Sequence, residues 1–170
     1  VKQTTKNNIA FIEFFTPEHN AMPSPILKEL AQVISNAGND DEVKVIVLKS
    51  GGDRTFCAGA SFKELIAIDN LEAGDLFFSG FANAENFYSA EYAKEKGLYA
   101  NIFETIEELD QAVNELANKL ASYNPEALSE LKNVLWQNTE NWDTLLKERA
   151  KISGKLVLSS FTKEKLASYK

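Results

Sequence analysis

The sequence predicts an α/β fold, and three observations carry that prediction. The run Val43-Lys44-Val45-Ile46-Val47-Leu48 is β-branched and apolar at nearly every position. This is the pattern of a strand covered on both sides, as in a parallel sheet sandwiched between helices. An amphipathic helix precedes it, with Leu27, Leu30, Ala31 and Ile34 at helical spacing. A loop of small residues from Gly51 to Ser61 follows it and leads into a further helix. Strand, helix, strand in this order implies a right-handed crossover. A glycine-bearing loop between a strand and a helix N-terminus is a common ligand site in α/β proteins.

The elements follow in order. Residues 1–4 and 9–15 read as a hairpin, with Asn7 and Asn8 supplying the turn, and Thr16-Pro17 ends the second strand. Ser24-Pro25 reads as an N-cap followed by proline at the first helical position, and Gly38 closes the helix. A polar loop over 39–42 leads to the strand at 43–48. A short helix is expected over 62–68, and residues 76–81, with three phenylalanines, as a packed helix. Residues 89–97 read as a capped short helix and 98–103 as a short strand. Thr105 with Glu108 forms a capping box for a helix striped by Leu109, Val113, Leu116 and Leu120. Asn124-Pro125 opens another helix, with Leu128, Leu131, Val134 and Leu135. Trp142, Leu145, Leu146 and Ile152 suggest a third, and Phe161 with Leu166 a terminal turn or short helix. There is no internal repeat and no low-complexity linker.

The chain of 170 residues is long enough for one domain with its own core. Eighteen Lys and Arg against 25 Asp and Glu give a net charge of -7 with no basic run, which argues against nucleic acid and anionic membranes as partners. The single cysteine, Cys57, excludes an intrachain disulfide and fits a reducing, cytoplasmic compartment. The single histidine, His19, leaves little material for a Ser-His-Asp triad or a multi-histidine metal site, and no metal is expected. No apolar run approaches the ~18 residues of a membrane span. No signal peptide is visible, yet the chain opens at Val1 without an initiator methionine, which implies a removed or omitted segment. Three or four strands against at least five helices are too few to bury two helical layers. Strands are expected to be missing.

His19-Asn20-Ala21-Met22, then the helix and the valine-rich strand, then Phe56-Cys57-Ala58-Gly59-Ala60-Ser61-Phe62-Lys63-Glu64-Leu65 resemble the crotonase superfamily of enoyl-CoA hydratases and isomerases. Ser89-Ala90-Glu91-Tyr92-Ala93-Lys94-Glu95-Lys96-Gly97-Leu98 and Asn124-Pro125-Glu126-Ala127-Leu128 with Lys132 look like that family's later half. The resemblance covers nearly all of the chain. It implies a crotonase-like spiral core of ββα repeats with a C-terminal helical region. Residues 1–83 would be the N-terminal part of the core, 84–103 its later part, and 104–170 the helical region. One departure is large. The family follows its Ala-Gly-Ala loop with a helix, further strands, a glycine-rich turn giving a second oxyanion donor and, in hydratases, a pair of glutamates. Here Phe77-Phe78-Ser79-Gly80-Phe81-Ala82-Asn83-Ala84 runs almost directly into Glu85-Asn86-Phe87-Tyr88-Ser89, and no Gly-Gly-Gly turn exists. A seam is therefore expected between Asn83 and Asn86, where an internal stretch is absent from the sequence or has been deleted.

The resemblance assigns Ala60 as the catalytic oxyanion-hole N–H donor for a CoA thioester. The chemistry agrees, since a small residue after Gly59 lets the thioester approach the backbone and a helix starting near Phe62 adds its positive dipole end. Read without the resemblance, residues 57–61 are a tight small-residue turn. Ser61, where relatives often carry aspartate, is a helix N-cap or a group facing the acyl pocket. Ala58, Phe62 and Lys63 belong to the same CoA-binding loop, and His19 to a CoA-contacting turn, near a phosphate or in solvent. Lys28 and Arg54 are phosphate partners or solvated cations. Cys57 reads as packing rather than a nucleophile, and Glu64 as a solvated or packed helical carboxylate. The paired glutamates fall in the absent stretch, and neither Glu85 nor Glu91 takes their role. Phe161, Lys165 and Tyr169 cover the CoA site or pack for stability, and the phenylalanines of 76–81 wall an acyl pocket or fill the core.

The expected function is an acyl-CoA hydratase, a lyase adding water across the double bond of an α,β-unsaturated CoA thioester in fatty-acid or branched-chain acid breakdown. No cofactor is expected, because CoA is part of the substrate. The alternatives are an enoyl-CoA isomerase or other crotonase-type enzyme, or a non-catalytic CoA-thioester binding protein. The resemblance also implies a homotrimer or dimer of trimers.

Overall fold

A computed structural model describes residues 1–53, 55–78 and 89–168. The expected seam between Asn83 and Asn86 lies outside the described residues, as do Arg54, Phe81 and Tyr169. The hairpin forms as the sequence predicts. β1 (Lys2–Lys6) and β2 (Ile9–Phe14) pair antiparallel, with Thr4 opposite Phe11. Asn7 and Asn8 join them at φ of 51° and 61°, a left-handed backbone that asparagine tolerates. The Asn8 side chain donates to the Glu42 carbonyl at 2.7 Å and ties this turn to the loop before the next strand.

α1 (Ser24–Gly38) carries the chain to β3 (Val45–Ser50), which pairs parallel with β2, so the sheet order is β1-β2-β3. The helix start departs from expectation. Pro23, in extended backbone at φ -72° and ψ 151°, occupies the cap position without a side-chain bond, and Ser24 is already helical. On one sheet face Ala10, Ile12 and Phe14 are buried against Leu30 and Ala37 of α1, with Ile26, Leu27, Val33 and Ile46 packed around them. On the other, Phe11, Glu13, Val47 and Lys49 face α5 (Ile106–Ala121) across an open cavity of about 620 Å³. β3 is thus half-buried rather than covered on both sides as expected, because it forms an edge of the described sheet and α5 spans a gap above it. At the other edge, all five residues of β1 are exposed.

The remaining described elements are helices: α2 (Phe62–Ala67), α3 (Leu71–Phe78), α4 (Ala90–Glu95), α6 (Pro125–Leu135), α7 (Trp142–Val157) and α8 (Ser160–Ala167). Polar caps start several of them: Ser61, Ser89 and Asn124, where the sequence predicts, and Ser159, which it did not single out, each accept an amide of the first turn. Thr105 accepts the Glu108 amide at 3.2 Å, while the Glu108 carboxylate reaches the amide of Glu104, one residue before the position a capping box uses. α3 starts earlier than expected, at Leu71, where the Asn70 side chain accepts the Ala73 amide at 2.9 Å. The strand expected over 98–103 is a loop. After Gly97, at φ 75°, the amides of Leu98 and Tyr99 both turn back to the Ala93 carbonyl, so they finish α4 instead of entering a ladder.

α3 and α7 cross with their backbones in contact. A Cβ placed on Gly74 would lie 2.8 Å from the Gly154 carbonyl oxygen, and one on Gly154 only 2.7 Å from the Asp75 amide nitrogen. Beside this crossing Ile68, Phe77 and Val157 form a second apolar cluster, on which Ala60 and Leu65 rest. Among the described residues no helix is long and apolar enough to cross a membrane.

Candidate functional site

The loop after β3 is held from below by one buried side chain. Asn20, 3% exposed, accepts the Thr16 amide at 2.9 Å and donates to the carbonyls of Gly51 and Thr55 at 2.9 and 2.7 Å. His19 and Asn20 both take left-handed backbone, at φ 54° and 57°, which folds this turn under the loop. Phe56 adds an edge-on ring contact to Phe14 of the core, with centroids 5.3 Å apart.

Beyond Phe56 the loop docks on residues 19–24. The Ala58 amide donates to the His19 carbonyl at 3.1 Å, the Met22 amide to the Gly59 carbonyl at 2.8 Å, and the Ser61 amide to the Met22 carbonyl at 3.2 Å. Met22 and Ala60 thus form a parallel bridge in which the bonds belong to the residues flanking Ala60. In such a bridge the N–H of the central residue is turned away from the partner strand. Among the described residues the Ala60 amide has no hydrogen-bond partner, although its two neighbours are engaged. Gly59, at φ 91°, supplies the backbone reversal that this turn requires.

The other sequence-predicted residues surround that amide unevenly. Ser61 is buried and caps α2 through the Glu64 amide at 3.4 Å, so its hydroxyl serves the helix. Phe62 is 42% exposed beside it. Lys63 is exposed and paired with Glu18. His19 is exposed and lines, with Phe15, Asn20 and Asp53, a shallow cavity of about 300 Å³. Ala58 is exposed, with its amide spent on His19 and no donor on its carbonyl among the described residues. Lys28 is exposed on α1. With only six residues, α2 adds little dipole at the Ala60 amide.

One expectation is corrected outright. Cys57 is not a packing residue but an exposed one, because its sulfur turns back to accept the Gly59 amide at 3.3 Å. The terminal segment comes near the site: Lys163 and Leu166 of α8 line a cavity of about 280 Å³ with Leu65 and Ile66 of α2, while Phe161 is 78% exposed. Glu91, in the first turn of α4, has its carboxyl held below the ordinary range by a backbone N–H and the Ser89 hydroxyl. Among the described residues no group of three His, Cys, Asp or Glu stands close enough to hold a metal ion.

Two residues escaped sequence reasoning. Asn20 gave a weak signal, an asparagine beside histidine at a turn. Glu64 gave a misleading one. Ser61-Phe62-Lys63-Glu64 has the spacing of a capping box, whose glutamate returns to its own helix. Instead both Glu64 carboxylate oxygens accept from Ser24, at 3.1 and 2.9 Å from the amide and 2.6 Å from the hydroxyl.

The family model for enoyl-CoA hydratase/isomerase matches residues 4–82, from β1 through α3, with the whole docked loop inside it. That match covers 79 of the 170 residues, and the fold of the whole chain is that of solved crotonase-type structures. The crystal structure of enoyl-CoA hydratase from Bacillus halodurans superposes with a TM-score of 0.84 at 14% identity, covering 98% of each chain. An enoyl-CoA hydratase/isomerase from Pseudoalteromonas atlantica gives 0.74 at 15% identity, over 98% of this chain and 94% of its own. The short-chain-enoyl-CoA hydratase of Clostridium acetobutylicum is 38% identical over 53 residues, 31% of this chain. That match spans only 20% of the relative's length.

Proposed function

We propose that this chain is a crotonase-type acyl-CoA hydratase, adding water across the double bond of an α,β-unsaturated CoA thioester. The observation that carries the reading is the unpartnered Ala60 amide between two amides that the fold has engaged. A thioester oxygen placed against that N–H gains its strongest hydrogen bond as enolate charge develops, so the amide favours the transition state over the substrate. Hydroxide from water adds to the β-carbon and a proton to the α-carbon, which returns the enolate to a carbonyl. The Ala58 carbonyl is a free acceptor suited to the adenine amino group, and the CoA arm runs past Phe62, Lys63, Ser61 and His19. CoA is carried by the substrate, and no further cofactor is needed. The chain would work in the cytoplasm, in acid breakdown, as a trimer or dimer of trimers. Leu131, Leu135, Trp136 and Leu146 on α6 and α7, all at least half exposed, are suited to such contacts.

A second reading is a CoA-thioester binding protein without turnover, favoured by Glu64, whose carboxylate is occupied by Ser24; an enoyl-CoA isomerase is the alternative within the enzyme class. Loss of crotonyl-CoA absorbance on hydration separates the two readings. Ala60→Pro removes the one N–H, whereas the bridge bonds belong to Gly59, Met22 and Ser61. Turnover should fall about 10²–10³-fold. Wild-type binding without turnover supports the binding protein, and full activity in Ala60→Pro refutes the oxyanion role.

A further inference from the structure

We infer that Glu64 is a positioning residue for the Ala60 amide, an inference that rests on the oxyanion reading above. The loop from Ala58 to Ser61 meets residues 19–22 through three backbone bonds, none of them made by Ala60 itself. Glu64 adds a side-chain tie beside them. Its carboxylate takes both the amide and the hydroxyl of Ser24, at the start of α1, while its own amide is held by the Ser61 hydroxyl, directly after Ala60. The contact joins residues 40 apart in the chain and couples α2 to the helix that covers the sheet. Pro23 leaves the α1 amides without a side-chain cap of their own, so the glutamate fills a vacancy that no residue before α1 fills. A carboxylate there is favoured by the partial positive charge of the fifteen-residue α1. The side chain is engaged by Ser24 and reaches the chemistry through the direction it gives the Ala60 N–H.

The test uses the full chain and the variants Glu64→Ala and Glu64→Gln, each checked by circular dichroism for wild-type secondary structure. Amide hydrogen exchange at residues 58–64 is read without ligand, and the thioester carbonyl stretch of bound crotonyl-CoA is read by isotope-edited infrared spectroscopy. Glu64→Ala should speed exchange at Ser61 and Glu64 at least tenfold and move the carbonyl band back toward its frequency in water. Glu64→Gln, which keeps an acceptor for Ser24, should recover most of both. Where crotonyl-CoA turnover is measurable, kcat should fall in Glu64→Ala with KM within about twofold. An unchanged carbonyl band in Glu64→Ala, with a shifted band in the wild type, overturns the positioning role alone. No band shift in the wild type overturns the oxyanion reading and this inference with it. Exchange restored in Glu64→Gln without recovery of the band overturns it too, by showing that the carboxylate acts on the thioester itself.

Discussion

Replacing Asn20 should release the loop that carries the site, and Asn20→Asp is the sharper of two substitutions. Aspartate keeps the size of the side chain, the tolerance for φ near 57° and the oxygen that accepts from Thr16, so only the two bonds donated to Gly51 and Thr55 are lost. In their place an oxygen faces two carbonyl oxygens. Each bond lost with a partner left unsatisfied costs about 1–3 kcal/mol, and both carbonyls are partly open to water, so the lower part of that range applies and the total is about 3 kcal/mol. Asn20→Ala loses all three bonds and adds a further ~1 kcal/mol for left-handed backbone, about 5–6 kcal/mol together. For a chain of this length about 3 kcal/mol corresponds to a fall in Tm of about 6–12 °C. Urea unfolding followed by circular dichroism gives the free energies, and limited proteolysis between Gly51 and Phe56 reports local release. An Asn20→Asp variant within about 0.5 kcal/mol of wild type, with the loop equally resistant, would refute the clamp.

Other outcomes follow from particular contacts. Gly154→Ala puts a methyl 2.7 Å from the Asp75 amide, where only backbone movement makes room, and should cost about 1–3 kcal/mol in chemical denaturation. Gly38→Ala, with open space around its Cβ, is the control and should cost nothing. Lys63→Ala removes an exposed pair with Glu18 and should change stability by less than about 1 kcal/mol, so any larger loss of CoA-thioester affinity in calorimetry reports a direct contact with the ligand.

The local chemistry of this fold was legible where it is decided by a few adjacent residues. The Asn7-Asn8 turn, the Ser61, Ser89 and Asn124 caps and the apolar face of α1 all follow from side chains acting within one turn of their own position. What depends on distant partners was not. The run 43–48 reads as a fully covered strand, yet its cover depends on what lies beyond β3 in space. Residues 98–103 carry strand-like composition, but the Ala93 carbonyl claims their first amides. At the site, Ala60 was legible through its small neighbours and the family resemblance. The bonds that hold it came from Asn20 and Glu64, whose partners lie 31 to 40 residues away, and spacing alone favours a local partner for each.

The two borders of the sheet are unequal neighbours to a stray chain. β1 presents Lys2 and Lys6 around short polar residues, a border that rebuffs an incoming strand by charge. β3 presents Val45, Ile46, Val47 and Leu48 in succession, and among the described residues nothing pairs with its far side. Of the two borders, β3 is therefore the one whose composition suits pairing with a further strand, and a proline there would remove a backbone donor from that border.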